Sequence, residues 1–480
     1  MDPSRIATAF LVLGLSVPGR TGLAGAAPAE GAPIAPFHDV NITRMAGNQS
    51  ESAVAIDEAA PDHIVAVSNT EGSSYGLAHA WTVDGGRTWQ ADVIADGDLL
   101  GFACCDGSLA SDEYGNVFLA YIDDVALEVK VAISTDGGAT FAPVASVGKA
   151  GPAPPGASGG KLPPGFRPGQ PLPPGDQPTV TAGEGSVWVC WTDFGTNDVE
   201  ASGASVIGLG QVGRFGIPQF AQGHRTGDYG DIAVGPRGQV MIVYQDPTDG
   251  EGPTGIYTDL DPDGLGSQGF QASNQVATTN VGGFDYIPAQ SGRSVDAEPG
   301  LAWDRSGGPH RGRLYLMYTS EEPQESDDLD VQLELSDDGG RTWSPPHRVN
   351  RDRGTNSQFL PKMALDEASG DLAITWYDCR GDPGTGGPGD TDGLPNDDAV
   401  VSGTVSGSGG TRFLPNVRIG GGASNAADAA SGVDYGDYEG LAFFGKVLFP
   451  VWADNSNSTG DNPDGTLHQF DLYTARMSVG

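Results

Sequence analysis

Carboxylates recur in this sequence at one fixed place relative to a repeated apolar segment, and that placement is what could do chemistry. Just ahead of the apolar segments stand Glu51, Asp106, Asp176, Asp228 with Tyr229, Asp296 with Glu298, and Asp437 with Tyr438 and Glu439. A second set, Asp123, Asp193, Asp246, Asp378 and Asp454, follows the aromatic that ends the next segment. Gathered at one end of a fold, such a ring is strongly electronegative. It could hold a cation or a cationic ligand, or place paired acids around a glycosidic bond. The competing reading is that many of these aspartates cap turns and rim strands. Arg225, Arg293, Arg353 and Arg380 fall near the same end. Guanidinium groups there could clamp a planar carboxylate.

The elements that position these residues are repeats. Seven apolar anchors, Val54, Leu109, Val180, Ile232, Leu301, Met363 and Leu441, lie 52 to 78 residues apart, and the next residue is Ala in six of the seven. Small residues there suit an innermost strand, where several strands crowd around one axis. A second strand follows each anchor and ends in an aromatic in six copies: Tyr121, Trp191, Tyr244, Tyr318, Trp376 and Trp452. A period of this length, with about four strands per repeat, predicts an all-β, closed β-propeller of seven blades, with six the alternative. The last repeat has room for only three strands, whereas an orphan strand, His38–Thr43, precedes the first anchor. That N-terminal strand would complete the seventh blade and remove a free edge.

Composition agrees. The 480 residues carry 25 Lys+Arg against 63 Asp+Glu, a net charge of −38. Such a field repels phosphates, so no nucleic-acid partner is expected. Gly and Pro supply 109 residues, which opposes long helices. Residues 1–26 read as a signal peptide: Arg5, an apolar run from Ile6 to Val17, and an Ala24-Gly25-Ala26 cleavage site. No segment reaches the length of a membrane span. The expected organisation is a signal peptide (1–26), a linker (27–37) and one propeller (38–480) with a Pro/Gly-rich insertion at 148–175. Further excursions run from Asp378 to Asp398 and from Asp454 to Gly465, and all three would overhang the ligand face. A secreted or periplasmic monomer is expected.

Three segments share the pattern [S/T]-x-D-x-G-x-T-[W/F]: Thr82–Trp89, Ser134–Phe141 and Ser336–Trp343. In each, Asp84, Asp136 or Asp338 would cap backbone N–H groups, the Gly-Gly pair permits φ > 0, and Trp89, Phe141 or Trp343 anchors the next strand. On these motifs the chain resembles the sialidase-like, Asp-box (BNR repeat) β-propellers over essentially its whole mature length. The resemblance implies a box between the third and fourth strands, on the face opposite the binding site. It also implies three arginines clamping a substrate carboxylate, a Tyr nucleophile polarised by Glu, and an Asp acid/base. Onto this sequence those roles carry as Tyr438 with Glu439 (or Tyr435) and Asp106 for catalysis, and Arg44, Arg293, Arg353, Arg380, Glu51 and Glu298 for substrate binding. The family's F-R-I-P motif is absent; Thr43-Arg44-Met45 is the nearest equivalent. Neighbouring Tyr438 and Glu439 on a strand would point to opposite faces.

Asp259, Asp261 and Asp263 form a D-x-D-x-D-G run that could wrap Ca²⁺, although Phe270 stands where an EF-hand needs Glu. No other cofactor is required. Cys104-Cys105 could close a vicinal disulfide or remain two thiols, and Cys190 and Cys379 read as unpaired. Gly208–Gly213 fits G-x-G-x-x-G and Gly156–Gly160 fits G-x-S-x-G, but neither opens a helix. Two functions follow as expectations. The first is a secreted propeller that binds or hydrolyses glycans; the other is a non-catalytic extracellular scaffold whose acidic face grips calcium or a protein.

Overall fold

The computed structural model describes residues 35–36 and 39–480, apart from 72–74, 150–174, 221, 224–225, 249, 388–389, 430–433 and 468. The expected signal peptide (1–26), nearly all of the expected linker (27–37) and of the expected 148–175 insertion, Arg225 and the Gly156–Gly160 motif lie outside the described residues. The remainder forms seven four-stranded antiparallel blades in a ring. Their innermost strands are Gln49–Ile56, Gly101–Ser111, Asp176–Gly183, Asp228–Val234, Gly300–Trp303, Gln358–Leu365 and Gly440–Phe444. Each contains one of the seven anchors. Among the described residues, no helix is long and apolar enough to cross a membrane.

The second strands explain why blades stack. Val117–Asp123 is buried along its whole length, as is Leu372–Asp378, because a blade's second strand is covered on both faces by its neighbours. Continuous apolar runs are what such a position requires. Accordingly the apolar clusters straddle blade boundaries: Phe118 and Val131 of the second blade pack with Val187 and Trp191 of the third. The core is therefore a ring of inter-blade layers.

Closure follows the sequence expectation. Blade seven takes Gly440–Phe444, Val447–Asp454 and Asp471–Thr474 from the chain's end, and Val40–Asn41 from its beginning pairs with the last of these, Val40 opposite Thr474. Asn41 Nδ2 also donates to Asp471 Oδ2 at 2.5 Å. The third and fourth strands of blades one, two and five are joined by the three Asp-Gly-Gly turns. Asp84 Oδ1 accepts from Thr88 N (2.9 Å), Asp84 Oδ2 from Thr88 Oγ1 (2.7 Å), and Thr82 Oγ1 donates back at 2.8 Å. Asp136 with Thr140 and Asp338 with Thr342 repeat these bonds. The second glycine of each turn meets the preceding blade: a Cβ on Gly138 (φ +88°) would lie 2.4 Å from Val65 Cβ. Ser406–Phe413 of blade six makes a related turn in which Ser408 replaces Asp, its Oγ accepting from Arg412 N at 2.9 Å.

Candidate functional site: an acidic channel mouth

One backbone device aims the acidic residues. In five blades the innermost strand shifts register three residues ahead of the anchor: between Ser50 and Ala53, Cys105 and Ser108, Asp176 and Thr179, Asp228 and Asp231, and Phe359 and Lys362. The residue at that point is left-handed each time: Glu51 (φ 57°), Asp106 (58°), Gln177 (44°), Tyr229 (56°) and Leu360 (44°). Glu298 (42°) holds the same offset in blade five. A non-glycine residue in this region costs on the order of 1–2 kcal/mol, and a bulge re-aims its side chain. Such strain, repeated at one end of a channel, marks a functional frame.

The side chains so placed converge. Asp106 and Asp176 are hydrogen-bonded carboxyl to carboxyl, and Glu51 bonds to Asp106. Burial, reinforced by the neighbouring charges of Asp176 and Glu51, pushes Asp106 well above the usual carboxylate range. Glu51 is pushed up to about 7, chiefly by burial, with Arg293 opposing. Asp228 rises to about 7 for the same reason, despite the Thr192 hydroxyl donating to it at 2.6 Å. Asp296 is raised well above its ordinary value by burial and by Glu298. Burial therefore favours the protonated form across much of the ring.

Arg293 is the cation at the mouth. Its Nε donates to Asp437 Oδ1 at 2.6 Å, its second arm also reaches Asp437, and the same nitrogen lies 3.1 Å from Glu51 Oε1. The backbone N–H groups of Gly292 and Arg293 donate to Asp434, and Gln290 ties to Gly436 and Tyr435. The segment ahead of blade five thus crosses to the segment ahead of blade seven. A Cβ on Gly436 (φ +87°) would strike Glu51 Cγ, so this crossing needs glycine.

The pair Tyr438 and Glu439 divides. Tyr438 faces Asp106, Glu51, Asp437 and Asp176, whose charges, after burial, hold its phenol protonated. Glu439 points down the shaft, 1% exposed. Burial raises it to about 8, against the pull of the Thr375 hydroxyl and the Lys362 ammonium. Lys362 also faces Glu298 and Asp231. The shaft itself encloses about 280 Å³. At its far end Arg305 donates to Glu367 (3.0 Å) and to the Ala182 carbonyl (2.8 Å).

The other expected residues stand elsewhere. Arg44 pairs with Asp461 at 2.6 Å on the exposed edge of blade seven. Arg353 is exposed in the loop entering blade six, and Arg380 pairs with Asp378 in a separate pocket of about 670 Å³. Tyr435 is fully buried and donates to the Ser424 carbonyl at 2.7 Å. Of the four described arginines, the structure brings only Arg293 to the ring. The second-strand aspartates serve as turn caps: Asp123, Asp193, Asp246 and Asp454 each accept a backbone N–H two residues on. Asp261 caps Asp263 and Gly264, Asp263 caps Ser267, and Asp259 accepts from Tyr244. Among the described residues their oxygens form no convergent trio; two other carboxylate groups do. Cys104 and Cys105 are joined in a vicinal disulfide beside Asp106, and Cys190 and Cys379 are buried thiols.

Gln177 and Lys362 are additions that charge and type did not single out. Gln177 Nε2 donates to Asp437 Oδ2 at 3.2 Å. Gln177 stands three residues ahead of its anchor and Lys362 one residue ahead of its own, so the repeat alignment held the signal that would find them.

No protein-family model matches this chain, and no curated protein matches its sequence. Solved structures do. A protein of unknown function from Dyadobacter fermentans is 12% identical over 93% of this chain and 99% of its own, with a TM-score of 0.47. The GH93 α-L-arabinofuranosidase of Fusarium graminearum, solved with arabinobiose, is 15% identical over 71% and 92%, with a TM-score of 0.42. A sialidase of Trypanosoma rangeli, solved with the inhibitor DANA, is 11% identical over 90% of this chain and 55% of its own, with a TM-score of 0.41. The likeness is one of fold.

Proposed function

We propose that this is an exported, sialidase-like propeller that binds or hydrolyses glycans at the channel mouth, and that its ligand is an uncharged sugar. The observation that carries the reading is the hydrogen-bonded trio Glu51, Asp106 and Asp176, held in place by left-handed bulges at Glu51, Asp106 and Gln177. Glycoside hydrolysis needs a carboxyl that arrives protonated, and burial beside like charges provides one. Asp106, the more strongly raised, is the general acid in this reading. Asp176, also raised by burial but held back by its bond to Asp106 and by Arg293, steadies that acid. Tyr438, a phenol at neutral pH, donates a hydrogen bond to the sugar.

A sialic acid fits this mouth poorly. Its carboxylate would enter a field of like charge, and Arg293 would have to leave Asp437 and Glu51 to meet it. The N-terminal segment 1–26 supports export. The test is a panel of aryl glycosides of neutral sugars beside an aryl sialoside, with calorimetry on the matching oligosaccharides. Turnover of a neutral glycoside is expected to fall by 100-fold or more in Asp106→Asn, in line with the loss of a general acid. Binding of a neutral glycan without turnover selects the non-catalytic form of the proposal. Sialoside turnover, or no binding across the panel, overturns it.

A further inference from the structure

The loop between the second and third strands of blade six gathers carboxylates away from the mouth. Asp382, Asp390 and Asp398 each offer an oxygen, and the three oxygens lie within 4.8 Å of one another. All three residues are buried, at 3%, 7% and 2% exposure. Among the described residues no ion pair reaches any of them; the nearby Arg380 is committed to Asp378.

Hydrogen bonds fix the three carboxyls without neutralising them. Asp382 Oδ2 accepts from the backbone N–H groups of Asp397 (2.9 Å) and Asp398 (3.1 Å). Asp390 accepts from Gly386 (2.8 Å) and Gly393 (2.7 Å), and Asp398 from the Thr391 hydroxyl (2.8 Å). A separate observation points to a ligand. The carboxyl of Asp397, 5% exposed, lies against that of Asp382, and its Oδ1 is buried without a hydrogen-bond partner. An acceptor oxygen enclosed in this way, against the Asp382 carboxyl, has no positive partner among the described residues. Buried charges are ordinarily paired or bound to metal.

We propose that Asp382, Asp390, Asp397 and Asp398 bind a calcium ion that staples this loop. The donors are all hard oxygens from carboxylates, and a crowded, charge-dense set suits Ca²⁺ better than Mg²⁺, which keeps several of its waters. Asp390 and Asp398 also line the pocket of about 670 Å³ beside Arg380 and Arg418, so the ion fixes one wall of that pocket.

The experiment uses the full chain, stripped with EDTA and then titrated with CaCl₂. We expect one tightly bound ion per chain by elemental analysis and a rise in melting temperature of about 4 °C at saturating calcium. The rise is expected to vanish in Asp390→Asn and in Asp398→Asn. It is expected to persist in Asp261→Asn and in Asp285→Asn, which probe the D-x-D-x-D-G turn and the other convergent trio, Glu251, Asp285 and Glu325. Should the Asp390 and Asp398 variants fail to fold, one ion retained by both control variants still supports the site. No bound calcium in the unsubstituted chain, or a shift lost in either control variant while Asp390→Asn keeps it, overturns the proposal.

Discussion

Replacing Glu439 by Gln tests whether the shaft holds a carboxyl that burial keeps protonated. Glu439 is 1% exposed and moves from an ordinary value of 4.5 to about 8 in the folded state. A raised carboxyl contributes its full stability below the unfolded value and loses it as pH rises through the folded one. The window is therefore about pH 4.5 to 8. Between roughly pH 5 and pH 8 the wild-type chain should lose about 3 kcal/mol that the Gln variant does not lose. Spread over the unfolding entropy of a chain this long, that is a relative shift of about 3 °C. Other buried carboxyls titrate in both proteins and cancel in the difference. Thermal melts of the two proteins across this range are the assay, with the Gln variant gaining on wild type as pH rises. Parallel curves would refute the reasoning, and a variant that loses ground at high pH would show a carboxylate stabilised by Lys362.

Four further outcomes are expected. Gly138→Ala combines a left-handed backbone with a clash against Val65 and should cost about 2–4 kcal/mol by urea unfolding. Gly339→Ala, where φ is +77° but the added carbon meets nothing, should cost only about 1–2 kcal/mol. Arg293→Gln strands Asp437 and Glu51, so a loss of about 3–5 kcal/mol is expected, partly restored by adding Asp437→Asn; additive losses in that double-mutant cycle would show that the pair does not act together. Removing the chain through Arg44 takes away Val40–Asn41 and bares the edge of Asp471–Thr474. Size-exclusion chromatography should then show association, and a monodisperse monomer with an unchanged melt would contradict closure by this strand.

The frame was legible because it is periodic. Anchors such as Val54 and Leu441 recur with small residues beside them, and an unpaired strand at one end matches a missing strand at the other. The acids ahead of the anchors were legible for the same reason, since a fixed offset within a repeat becomes a fixed place in the ring. Partnership was not. Asp123 and Asp106 look alike in sequence, yet one caps a turn and the other meets Asp176 carboxyl to carboxyl, because a bulge redirects only Asp106. Nothing in the spacing of Arg44, Arg353 and Arg380 reveals that each sits away from the mouth. Asp382, Asp390 and Asp398 converge through a loop with no repeat to align, and the turn at Ser406–Phe413 was hidden by a serine standing in for aspartate.

The left-handed bulges have a consequence for how such a mouth diversifies. The same backbone kink presents Glu51, Asp106, Gln177, Tyr229, Glu298 and Leu360 at equivalent places, so it tolerates side chains of different charge, size and polarity. Each blade then behaves as a socket, and a new specificity needs a substitution in one socket with no redesign of a loop. Leu360 is the socket turned over to packing, fully buried in the apolar cluster with Phe359 and Tyr435. That single apolar occupant breaks the symmetry of the ring: blade six turns this place inward to the core, while blades one and two turn theirs, Glu51 and Asp106, to the acidic mouth.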